Sequence, residues 1–312
     1  MTQKRNSAGG VLLLMLTALI WGGAFVAQSK GMDSLGAFAF GSIRTLLGSF
    51  SLFIYILISN GIKKAHRASE SATEHRERIR TSVLKGIPLG VVYFIATNFQ
   101  QYAFYYSTAG KIAFITAMYI LFVPVADLFA GRKLSAAKWA AVALGIIGLW
   151  LLCIGKDGMG SVSPGDILAL ACSVGFTFHI ILIDRCSGTT DGAVLSCTQF
   201  LVAGAMTFVL MLVFEGMPSW QDVASGAVSI LYAGIMSCAV AYTLQIIGQK
   251  SVEPSVASLI MSLESVFAVI CAALILRQVP SAREGAGCAV MFAAIILAQS
   301  GDIFRRRKEQ MH

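Results

Sequence analysis

Ten stretches of almost unbroken apolar residues run along the chain, separated by short polar segments. They fall at 9–29, 35–59, 83–106, 109–130, 136–154, 165–184, 192–214, 224–248, 255–276 and 284–303. Each is about 20 residues long, enough to cross a hydrocarbon layer of about 30 Å at 1.5 Å per residue. A backbone in lipid must satisfy its own hydrogen bonds, so each stretch is predicted to be helical. The expected fold class is therefore an all-α membrane protein with ten transmembrane helices. The first stretch follows Lys4 and Arg5 and ends without an A-x-A site, so it is expected to be retained as a signal-anchor helix.

The first five stretches resemble the second five. At an offset of 155, Trp21 falls on Phe176, Lys30 on Arg185 and Arg44 on Gln199. After the polar segment 61–82 the offset becomes 144, matching Gly90 with Gly234, Gln101 with Gln245, Ser107 with Ser251 and Ala113 with Ala257. In the last stretches it is 146, with Ser135 on Ser281. Five crossings return the chain to the opposite side, so the second copy must lie inverted relative to the first. The expected division is 1–160 and 161–312, two inverted five-helix repeats. That architecture serves alternating access, with the substrate near the midplane between the halves. The segment 61–82 reads as a cytoplasmic loop, either a solvated linker or a surface helix on anionic lipid. Gly86 and Gly90 form a G-x-x-x-G that would let helices approach closely.

Composition agrees with this pattern. Hydrophobic residues make up 56% of the chain and charged residues 13%, about half the charge of an ordinary soluble domain. The net charge of +8 is distributed as topology requires. With the N-terminus inside, inner segments carry 18 Lys and Arg, outer segments carry 5, and Arg44 lies within a span. This positive-inside asymmetry places both termini in the cytoplasm and removes the case for a nucleic-acid partner. The expected partners are the lipid bilayer and a small-molecule substrate. The seven cysteines show no CxxC and read as helix-packing residues. There is no P-loop, H-E-x-x-H, G-x-S-x-G or Cys/His cluster, so no enzyme activity, cofactor or metal is expected.

Polar groups inside the spans carry the candidate chemistry, since an ionisable side chain near the bilayer centre costs about 3 kcal/mol or more. Glu264 lies near mid-depth in the ninth stretch. It is either a proton-coupling or substrate-amine site, or a structural carboxylate hydrogen-bonded inside the bundle. Arg44 lies at similar depth in the second stretch. It either holds a substrate carboxylate bidentately or ties helices together, with Glu264 as one candidate partner. Asn98, Gln100, Gln101, Gln245 and Gln249 form a polar stripe on the third and eighth stretches, suited to a zwitterionic or uncharged ligand or to joining helices. Trp21 and Phe176, with Tyr93, Tyr119, Tyr232 and Tyr242, either line an aromatic cavity or pack as core. His179 reads as a hydrogen-bonded packing group or, alternatively, a ligand. Trp139, Trp150 and Trp220 read as belt residues.

Six strings resemble the EamA-type family of the drug/metabolite transporter superfamily: TALIWGGAFVAQ at 17–28, KIAFITAMYILFVPV at 111–125, GRKLSAAKWAAVALGIIGLWLL at 131–152, GDILALACSVGFTFHIILIDR at 165–185, AYTLQ at 241–245 and SLIMSLESVFA at 258–268. The resemblance implies ten helices in two inverted repeats, both termini inside, and export or exchange of small metabolites such as amino acids. Two departures stand out. Family members carry Glu-Pro in the ninth helix, where this chain has Glu264-Ser265, and Gly-Glu-Arg at its end, where this chain has Arg277-Gln278-Val279. Loss of the proline predicts a straighter ninth helix.

The expected function is thus secondary export of small metabolites, amino acids first, across a bacterial-type plasma membrane. Substrate would sit among Trp21, Arg44, Gln101, Phe176, Gln245 and Glu264, and proton coupling through Glu264 is left open. The alternatives are a drug or nucleobase efflux transporter with an aromatic pocket, and a non-transporting membrane sensor.

Overall fold

A computed structural model of the chain describes residues 7–64, 72–107, 109–132, 134–153, 162–276 and 281–309. All elements among them are helical. They are α1 (Ala8–Gly31), α2 (Ala37–Lys64), α3 (Ala72–Ala103), α4 (Ala109–Thr116), α5 (Tyr119–Phe129), α6 (Ala136–Cys153), α7 (Pro164–Ser187), α8 (Gly192–Phe214), α9 (Trp220–Ser225), α10 (Ala227–Leu231), a π-helix (Tyr232–Ala241), α11 (Tyr242–Gln249), α12 (Pro254–Met261), α13 (Glu264–Leu276) and α14 (Ala282–Glu309). Among the described residues, eight segments are long and apolar enough to cross a membrane, and Ala136–Leu151 adds a shorter apolar helix. The chain is a multi-pass membrane protein.

Helix ends are set by local chemistry. Ser163 caps α7 in a capping box with Asp166, and Pro164 fills the first turn, where its missing N–H costs nothing. Asp191 accepts from the Ala193 and Val194 amides at the start of α8. The N-terminus of α2 borrows its cap. Glu215, just past α8, accepts from the Phe38 and Ala39 amides at 3.0 and 2.7 Å. Within the polar segment 61–82, read as a linker or a surface helix, the described residues are helical: α2 runs to Lys64 and α3 begins at Ala72.

The fourth and ninth stretches are each interrupted by two residues. Ala117 and Met118 separate α4 from α5, and Ser262 and Leu263 separate α12 from α13. The straight ninth helix expected from loss of the proline is therefore not what the chain forms. Serines do the work instead. Ser258 and Ser262 donate back to the carbonyls of Ser255 and Leu259, at 2.9 and 2.7 Å. Such back-bonding competes with the helix and bends it. Leu263 and Ser265 then bond three residues back, to Ile260 and Ser262. The Arg277-Gln278-Val279 departure lies outside the described residues.

Long-range contacts join the two ends of the chain. α1 packs against α13, α11, α12 and the π-helix, while α7 packs against α3, α4 and α5. α2 crosses α8 and the π-helix, α3 crosses α8, and α6 lies along α14. Glycines permit the closest approaches. A Cβ on Gly90 would fall 2.7 Å from the Gln199 carbonyl oxygen and 2.8 Å from Val202, and one on Gly234 would fall 2.9 Å from both the Arg44 carbonyl oxygen and Leu47. Gly10 packs on Ser251, and Gly165 on Ser107.

Candidate functional site

A small cavity of about 40 Å³ opens among α1, α2, α3, α4, α5, α7, the π-helix, α11, α12 and α13. Helix α1 presents Trp21, Ala24, Phe25 and Gln28 to it, residues spaced i, i+3, i+4 and i+7 on one helical face. Helix α3 presents Tyr93, Thr97 and Gln100 with the same spacing logic. Arg44 enters from α2, Phe176, His179 and Ile180 from α7, and Ser237, Tyr242 and Gln245 from the eighth stretch. The two helix breaks bring in Thr116 and Tyr119 from one side and Met261 and Glu264 from the other.

Of the six residues singled out from sequence, Trp21, Arg44, Phe176, Gln245 and Glu264 line this cavity. Gln101 does not. It is 1% exposed, with its amide oxygen and nitrogen buried and without partners, and its neighbour Gln100 lines the space instead. Among the tyrosines, Tyr93, Tyr119 and Tyr242 face the cavity, whereas Tyr232 donates to the Ile20 carbonyl at 3.0 Å. Gln28, Thr97, Thr116, Ala24 and Ser237 went unnoticed in the sequence. For Ala24, Gln28 and Thr97 the signal was the helical spacing from Trp21 and Tyr93; Thr116 and Ser237 carried none.

The wall has two characters. One side is a ring cluster. Tyr242 lies 4.6 Å from Trp21 and 5.0 Å edge-on to Tyr93, and Phe200 packs edge-on behind both tyrosines. The same wall also carries polar groups without partners. Arg44 is 4% exposed, stands 5.6 Å from the Phe40 ring centre, and has a buried Nε without a hydrogen-bond partner. Among the described residues no carboxylate lies within ion-pair distance of it, so the tie to Glu264 is not formed. Glu264 instead accepts from the Tyr119 hydroxyl at 3.1 Å, in the first turn of α13, where the helix field favours an anion. Trp21 Nε1, Gln28 Oε1 and Gln245 Oε1 are also buried without partners. Buried polar groups normally find partners, so this wall has donors and acceptors to offer a ligand. His179 is fully buried, and its Nε2 lies 3.0 Å from Gln199 Oε1. Among the described residues no His, Cys, Asp or Glu group could hold a metal ion.

At one end of the bundle lies a separate ionic cluster. Arg132 reaches Asp184 at 2.8 Å and Asp127 at 3.2 Å, and Ser255 donates to Asp127 at 2.6 Å. Lys138 pairs with Glu253 beside it. Burial would lower the Arg132 guanidinium, but its hydrogen bond to Asp184 and the charges of Asp184 and Asp127 raise it above its ordinary value.

Comparisons with known proteins agree with this architecture. The sequence profile of the EamA-like transporter family matches residues 8–154 and again 163–299. An uncharacterized transporter of Archaeoglobus fulgidus is 25% identical over 292 residues, covering 91% of this chain and 83% of that protein. The threonine/homoserine exporter RhtA of Escherichia coli is 25% identical over 304 residues, covering 96% of this chain and 92% of the exporter. A solved crystal structure superposes with a TM-score of 0.73 at 16% identity, covering 96% of this chain and 98% of the other.

Proposed function

The chain belongs to the EamA-like transporter family, and from that premise we propose that it is a secondary transporter exporting or exchanging small metabolites, amino acids first among them. In this reading α6 and α14 complete ten spans, and the halves 1–160 and 161–312 are inverted repeats that rock about the cavity. The packing supports it. Shifted by five stretches, the contacts of α1 with α12 and α13 become those of α7 with α4 and α5, and those of α2 with the π-helix become those of α8 with α3. Gly90 on Gln199 and Val202 answers to Gly234 on Arg44 and Leu47 at the offsets of 144 and 155 read from sequence. The asymmetry of Lys and Arg supports a bacterial inner membrane with both termini cytoplasmic.

One observation carries the substrate class: Arg44 is buried in the cavity with no carboxylate at ion-pair distance among the described residues, and Glu264 lines the same cavity. A zwitterion would find a complement for each end. The aromatic side suits flat rings and favours, on its own, the drug or nucleobase reading. A buried unpaired cation argues against cationic drugs, because like charges in a dry site repel. The relative RhtA supplies the first probe. Proteoliposomes preloaded with threonine should release it faster than protein-free vesicles, and Arg44→Gln should slow release about tenfold or more. Release by the wild type no faster than from empty vesicles removes the threonine reading. Proton coupling belongs to the proposal through Glu264.

A further inference from the structure

The cavity is lopsided, and the internal repeat identifies what the two halves do differently. At the offset of 155, Gln199 answers to Arg44 and His179 to Ala24; at 144, Tyr93 answers to Ser237. Where His179 and Gln199 of the second copy meet Tyr93 of the first, the corner is full. His179 reaches the Gln199 amide, and its ring packs 5.7 Å from Tyr93. At the repeat-related corner, Ala24 of the first copy and Ser237 of the second supply only a methyl and a hydroxymethyl group. Ala24 and Ser237 both line the cavity beside Arg44, whose Nε is buried and unpartnered. The imidazole that the repeat would bring to this guanidinium is replaced by a methyl group, and both small residues border the cavity.

We propose that Ala24 and Ser237 are specificity-determining residues, which clear a carboxylate-sized subsite against the Arg44 guanidinium by departing from the ring side chains of the other half. The inference rests on the transporter reading and narrows it to substrates bearing a carboxylate. A carboxylate is flat, accepts from two guanidinium N–H groups at once, and supplies the counter-charge this buried cation lacks. An amide of the same shape supplies no charge and leaves the cation uncompensated. A larger side chain at position 24 takes the place of the ligand. Histidine there reproduces the filled corner.

The test uses the purified full-length protein and three probes: threonine, threoninamide and propionate. Binding is read by ligand-dependent thermal shift, and flux in proteoliposomes. The wild type is expected to bind threonine and propionate about tenfold or more tighter than threoninamide. Ala24→His should abolish that preference while keeping or raising the unfolding midpoint without ligand. Ala24→Val, a smaller intrusion, should weaken it in the same direction and serves if the histidine variant does not fold. Ser237→Tyr should act likewise. A folded Ala24→His or Ala24→Val that keeps the full preference overturns the proposal. So does a wild type that binds threoninamide as well as threonine, or binds none of the three. Propionate binding that depends on Ala24, without threonine flux, supports the subsite and removes the amino-acid reading. Threonine flux with a preference indifferent to Ala24 removes the subsite and leaves the transporter.

Discussion

Glu264 begins α13 and meets Tyr119, which begins α5, across 3.1 Å. The two side chains are 145 positions apart, as are the two helix breaks that place them. Glutamine at position 264 retains an acceptor for the Tyr119 hydroxyl but exchanges no proton. Glu264→Gln is therefore expected to fold as the wild type does and to transport with a rate independent of an imposed pH difference; threonine flux across a pH gradient checks this. Tyr119→Phe removes a buried hydrogen bond to a carboxylate and is expected to cost about 1–3 kcal/mol in thermal unfolding. At this scale the sequence was legible wherever burial has a price. A charge in an apolar run must face inward, and Arg44 and Glu264 do. Gln100 and Gln101 show the limit. Consecutive helical positions point about 100° apart, and a run of apolar neighbours on all sides carries no period that says which one faces the cavity.

Among elements, close crossings at glycine bind the bundle. A methyl at Gly90 or Gly234 meets a backbone carbonyl oxygen that cannot swing aside. Gly90→Val and Gly234→Val are each expected to destabilise by about 1–3 kcal/mol through overpacking, measured by thermal unfolding in detergent. Gly9→Ala, with open space around it, serves as the control and should stay within about 0.5 kcal/mol. The apolar stretches were plain in the sequence, but their internal breaks were not. Each break is two residues long, and at the ninth serine hydroxyls bond to carbonyls three residues back. Ser258 and Ser262 read equally well as helix interior. The ten-residue π-helix at Tyr232–Ala241 was equally invisible, because widening the turn changes no residue type.

For the whole molecule, the Arg132 cluster fastens the two halves at one end. It joins α5 through Asp127, α7 through Asp184 and α12 through Ser255. Arg132 is 39% exposed while both aspartates are buried, so its loss takes the paired cation from two buried carboxylates. Arg132→Ala is expected to lower stability by about 1–3 kcal/mol, the smaller value favoured by solvent at the guanidinium. Adding Asp184→Asn should recover part of it, because a neutral amide needs no counter-cation; a double-mutant cycle in thermal unfolding reads this directly. A raised guanidinium contributes stability that is lost only as the pH rises through its strongly basic range, so the Arg132 charge should not change across the neutral range. Matched residues that kept register over long distances pointed to two copies, and the family profile matches the chain twice, over 8–154 and 163–299. The lopsided cavity was not legible, since it arises from places where the halves differ.

The packing of α1 also sets a schedule for biosynthesis. Ser7 bonds Ser251, and Thr17 bonds the Ala241 carbonyl 224 positions away. The first helix thus leaves the ribosome long before its neighbours exist. At about 5–20 residues per second it waits on the order of 10–50 s. During that interval its polar groups must be sheltered by lipid, water or the insertion machinery, and final assembly belongs to the end of synthesis.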